Sequence, residues 1–86
     1  MPEISRFYGI IVKMYFADHP PAHFHAEYGS EEALLNIETL TIIAGNLPPR
    51  ALSLVREWAS LHKHELRVAW DNATGLQSPG RIAPLP

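Results

Sequence analysis

The sequence predicts an α+β domain: an antiparallel sheet of about four strands with one long C-terminal helix packed on one face. Three observations point there. Short runs rich in β-branched and aromatic residues occupy the chain up to Gly45. Clusters of Gly, Pro, Asn and Asp separate those runs at hairpin spacing. From about Pro49 the apolar spacing changes to alternating threes and fours, the period of a helix. With 86 residues there is room for a single domain, residues 1–86, and for no second core.

Ile10-Ile11-Val12-Lys13-Met14-Tyr15-Phe16 has the composition of a strand, with Gly9 bending it away from a short lead-in around Ile4 to Tyr8. Asp18-His19-Pro20-Pro21 is a turn, since paired prolines fix φ and remove two backbone donors. His23 to Tyr28 is the next strand, closed by Gly29-Ser30. Ala33 to Ile37 and Leu40 to Ala44 form two more, with Glu38-Thr39 as the tight turn between them. Leu52, Val55, Ala59, His62, Leu66, Ala69 and Ala73 then draw one stripe along a helix. Pro48-Pro49 suits its first turn, and Asn72 and Gly75 supply the stop. Residues 76–86 carry three prolines and one glycine and read as an irregular wrap.

Composition excludes several classes. There is no cysteine, so disulfides, thiolate chemistry and cysteine-type zinc sites are out. A formal net charge of −2 argues against a strongly basic nucleic-acid module. No apolar run approaches membrane-spanning length, and the Met1-Pro2-Glu3-Ile4-Ser5-Arg6 start lacks the basic and apolar regions of a signal peptide. The expectation is a soluble, cytoplasmic protein with no membrane association.

Chemistry concentrates at His23-Phe24-His25-Ala26-Glu27. In a strand, alternate side chains share a face, so His23, His25 and Glu27 project together, opposite Phe24 and Ala26. His62 sits mid-stripe on the helix and meets them if their shared face is the inner one. His23, His25 and His62 then form a candidate site for a divalent transition metal such as zinc, with Glu27 as fourth ligand or base. The same four residues also fit metal-free acid–base catalysis, because imidazole titrates near neutral pH. They equally fit a half-solvated strand edge with satisfied imidazoles, and the pattern leaves open whether the chain is an enzyme. His64 belongs to the solvated face, and Asp18 fits an Asx-type turn.

Leu54, Leu61 and Val68 recur every seven residues outside the main stripe, and one helix on one sheet face leaves them exposed. A contiguous apolar ridge of that kind suits self-association or a small cognate protein. Arg56, Lys63 and Arg67 flank it, but with Glu57 and Glu65 on the same helix they support nucleic-acid binding only weakly.

Three segments together resemble a known family: Arg6-Phe7-Tyr8-Gly9, then Asp18-His19-Pro20-Pro21-Ala22-His23-Phe24-His25, then Glu57-Trp58-Ala59 through His62, Glu65-Leu66 and Trp70. The chain is similar to a family of small bacterial proteins catalogued as domain of unknown function 4160, marked by a proline-rich turn leading into His-Phe-His. The resemblance runs from Pro2 to about Ala73, with Ala22 standing where the family usually has proline before the first histidine. It brings no established activity. It implies a component of toxin–antitoxin type, encoded beside another small protein. The first function expected is therefore a protein-binding module; the alternative is a histidine-centred metalloprotein or metal-free hydrolase, acting on RNA if the toxin analogy holds. A more distant likeness to the histidine-triad nucleotide hydrolases fails because Glu27 stands in place of a third histidine.

Overall fold

The computed structural model describes residues 3–86; the Met1-Pro2 part of the signal-peptide argument lies outside them. Five strands run in order: β1 (Glu3–Phe7), β2 (Ile10–Lys13), β3 (His23–Tyr28), β4 (Glu31–Asn36) and β5 (Ile42–Gly45). Each pairs antiparallel with its predecessor, giving an α+β meander in the order β1-β2-β3-β4-β5. The fifth strand, beyond the four expected, is β1. Tyr8 and Gly9 both adopt positive φ (49° and 80°), so a two-residue turn folds the lead-in back on β2 and pairs Phe7 with Ile10. Between β4 and β5, Asn36 Oδ1 accepts the Glu38 and Thr39 N–H groups at 2.7 and 3.1 Å, holding the expected turn.

The register sorts side chains onto two faces. Phe24 lies opposite Leu35 and Ala26 opposite Val12 and Ala33; all five are buried. The alternate positions Lys13, His25 and Leu34 lie side by side on the other face, as do Ile11, Glu27 and Glu32. These are half-buried or exposed. One face is thus apolar throughout and the other mixed and polar.

The expected single helix is two: α1 (Pro49–Leu61) and α2 (Lys63–Thr74), separated at His62 by φ −120°, ψ 25°. The apolar stripe continues across the break, since Val55, Trp58 and Ala59 on α1 and Leu66, Ala69 and Ala73 on α2 join one core with Phe24, Val12 and Leu35. Trp58 is its centrepiece, with ring centroids 5.9 Å from Phe24 and 5.5 Å from Phe7. No helix among the described residues is long and apolar enough to cross a membrane.

The irregular wrap after α2 works as a strap. Ile82 N–H donates to the Ile4 carbonyl at 2.7 Å, and the Trp58 indole N–H donates to the Ala83 carbonyl at 2.8 Å. Tyr8 hydroxyl donates to the Pro86 carbonyl, and Arg81 reaches Glu3. Buried Ile82 and Leu85 anchor it to the core, as their apolar character requires.

Candidate metal centre

The loop from Met14 to Ala22 carries Asp18 toward the start of β3. Two things hold it. Ala17 N–H donates to the Ala73 carbonyl at 3.1 Å, tying the loop to the end of α2. Asp18 Oδ1 accepts the N–H of the adjacent His19 at 2.8 Å, one residue short of the Asx-turn bond expected of it. Its other oxygen does more. Asp18 Oδ2 lies 3.0 Å from His23 Nε2 and 3.4 Å from His25 Nε2. Asp18, His23 and His25 each offer a ligand atom, and these atoms all lie within 4.8 Å of one another.

The surroundings define the protonation chemistry. His23 Nδ1 is 2.8 Å from the Pro21 carbonyl, which can only accept, so Nδ1 carries a proton. In a neutral imidazole that leaves a bare lone pair on Nε2, aimed at a carboxylate oxygen. Burial pushes the Asp18 carboxyl up, but the His19 N–H and the two imidazoles outweigh it and hold it below its ordinary value. A neutral His23 would turn an acceptor toward the carboxylate at 3.0 Å, so the contact takes either a second proton on the ring, giving an imidazolium–carboxylate pair, or a cation. His23 is buried and His25 nearly so, with Trp70 of α2 5.1 Å from the first ring and Tyr15 packed edge-on 4.3 Å from the second. Burial lifts the Tyr15 phenol above its ordinary value, and Glu32 adds to the effect, so that ring is neutral.

A divalent ion fits this donor set. Ligands about 2.0–2.2 Å from an ion in tetrahedral geometry lie about 3.4 Å apart, and Asp18 Oδ2 stands 3.0 and 3.4 Å from the two Nε2 atoms. Metal-bound histidines ordinarily donate their other ring N–H to a carbonyl or carboxylate, as His23 does to Pro21.

The structure gathers the expected residues only in part. His23, His25 and Glu27 do share a face, but Glu27 is engaged by Lys13 at 3.0 Å, and that pairing raises the Lys13 pKa. His62 does not join the pair: the ligand atoms that converge are those of Asp18, His23 and His25, where His23, His25 and His62 were expected. His62 packs on Trp58, on the apolar side of the sheet, and its Nδ1 is 2.6 Å from Glu65 Oε1. Helix and strand histidines lie on opposite sides because the helix stripe must cover the apolar row of β3, which is Phe24 and Ala26. Asp18 is the member that sequence reasoning left out of the cluster and placed only in the turn.

Of the ridge residues, Leu61 is 62% and Val68 45% exposed, while Leu54 packs partly against the core and lines a cleft with Tyr8 and Tyr28. Arg56, Lys63 and Arg67 are all spent on the β4–β5 turn: Arg56 on the Leu40 carbonyl, Lys63 on the Glu38 carbonyl, and Arg67 on the Glu38 carboxylate.

No curated protein and no solved structure matches the chain. One family profile does, that of a domain of unknown function, DUF4160, over residues 9–71, a span that holds the Asp18, His23 and His25 cluster, β2 to β5, α1 and most of α2. The chain belongs to the DUF4160 family.

Proposed function

We propose that this protein is a mononuclear metalloprotein that holds a divalent transition ion through Asp18, His23 and His25. The observation that supports the reading is the convergence of Asp18 Oδ2 on His23 Nε2 and His25 Nε2, at 3.0 and 3.4 Å, with His23 Nδ1 turned to the Pro21 carbonyl. Two imidazoles and one carboxylate are a borderline donor set suited to zinc, iron or cobalt. Three protein ligands leave a coordination position open, the hallmark of a catalytic rather than a structural site. A bound ion would supply Lewis acidity there, which suits hydrolysis. The chain's own part is to orient the donors from β3 and the loop, and to shield them with Tyr15 and Trp70.

The test is uptake of zinc or cobalt by metal-stripped protein, followed by calorimetry and elemental analysis. One equivalent should bind, and Asp18→Asn, His23→Ala and His25→Ala should each lose it while His62→Ala keeps it. If the parent takes up no more than the His23→Ala variant, the centre is an imidazolium–carboxylate network and the metal reading is wrong.

A second reading concerns contact. Leu61 and Val68 remain exposed across the helix break, which supports self-association or a small cognate protein of the toxin–antitoxin kind. Sedimentation of the protein, alone and with the product of an adjacent gene, tests it. A monomer unaffected by Leu61→Ser and indifferent to that product would refute it.

A further inference from the structure

We infer that Glu32 is a positioning residue for the centre: its carboxylate takes the Nδ1 proton of His25 and so keeps Nε2 free for the ion. This rests on the metal reading above. His25 Nδ1 is a buried nitrogen with no hydrogen-bond partner among the described residues, a costly condition for a group that can donate. The acidic group beside it is Glu32, whose Oε2 lies 3.4 Å away without yet meeting hydrogen-bond geometry. The register explains the approach. His25 is directly opposite Leu34 and Glu27 opposite Glu32, so Glu32 is the diagonal neighbour of His25 on the same face.

A neutral imidazole has one N–H and two claimants here. Asp18 Oδ2 at 3.4 Å would take it from Nε2, which would cap the very atom needed as a ligand. Glu32 would take it from Nδ1, which exposes the Nε2 lone pair toward Asp18 and His23. The carboxylate that settles this contest selects the tautomer, the usual job of a group hydrogen-bonded behind a metal-bound histidine. The other nearby carboxylate, Glu27, is already held by Lys13, which leaves Glu32 free for His25.

The experiment uses the whole chain with Glu32→Ala and Glu32→Gln, and Glu31→Gln as the exposed neighbouring control. In metal-free protein, ring ¹H–¹⁵N correlations report the His25 tautomer. The parent should show the Nδ1–H form, Glu32→Ala should move it toward Nε2–H, and Glu32→Gln, which retains an acceptor oxygen, should lie between. Zinc affinity should fall about 10- to 100-fold in Glu32→Ala and less in Glu32→Gln. An unchanged tautomer together with zinc affinity within about twofold of the parent, against that expectation of tenfold or more, would overturn the inference. A parent that binds no zinc would overturn the metal reading, and with it the role of Glu32 toward an ion. An Nδ1–H signal lost in Glu32→Ala would then still identify Glu32 as the partner of His25, so the two failures are distinguishable.

Discussion

Phe24 and His25 are consecutive residues with opposite lives. Phe24 is fully buried against Trp58 and pairs across the sheet with Leu35; His25 turns the other way, toward Asp18, Tyr15 and Glu32. One peptide unit separates the face that holds the domain together from the face that carries its candidate chemistry. The strand's period of two makes the division unavoidable. It also predicts that stability and ion binding can be perturbed independently, one neighbour at a time.

Phe24→Ala is the largest blow. Removing a ring from the middle of the core should cost about 3–5 kcal/mol, read as a drop in the denaturant midpoint. Ion affinity per folded molecule should change little. His25→Ala should do the reverse. It should abolish tight zinc uptake, a loss exceeding the roughly 100-fold seen for supporting residues, and shift metal-free stability by about 1 kcal/mol or less. If both variants lose stability and binding together, the two faces are one cooperative unit and the contrast dissolves.

His62→Ala sharpens the contrast from the helix side. It removes an imidazole resting on Trp58 and paired with Glu65, so about 1 kcal/mol of stability should go with it. Zinc affinity should stay put. Loss of zinc binding in this variant would bring the helix back into the site.

The smallest effect concerns the exposed clamp between sheet and helix layer. Arg67 holds the Glu38 carboxyl below its ordinary value. A depressed carboxylate contributes stability that is present above its unfolded pKa and disappears as pH falls through the folded one. Glu38→Gln should therefore melt slightly below the parent at neutral pH, and the two should converge in acid. Added salt should narrow the neutral-pH gap, as for any exposed pair.

Much of this was legible in the residues. His23 to Tyr28 is the strand the alternation predicts, residue for residue, because an apolar row and a polar row leave one register. The break at His62 was hidden, since the spacing of threes and fours passes through it undisturbed and Leu66 resumes the stripe. Periodicity reports which side of a helix is apolar, not whether its axis bends. β1 was hidden because its strand character depends on the positive φ of Tyr8, a conformation a tyrosine does not advertise. Asp18 was hidden for another reason. It meets histidines five and seven residues away through a loop whose path is set by the end of α2, a contact no local pattern encodes. The misplacement of His62 was avoidable: an apolar helix stripe must seal the apolar row of the strand, and that row excludes both histidines.

The strap across β1 and Trp58 has a consequence for biosynthesis. Because each strand pairs with the one before it, the meander can zip up during translation, as hairpins emerge at about 5–20 residues per second. Ile4 and the Trp58 indole, however, wait for Ile82 and Ala83. Until Ile82 and Ala83 have emerged from the ribosome, the Ile4 carbonyl and the Trp58 indole lack these partners and this edge of the apolar layer stays uncovered, and that interval is when chaperones have most reason to visit.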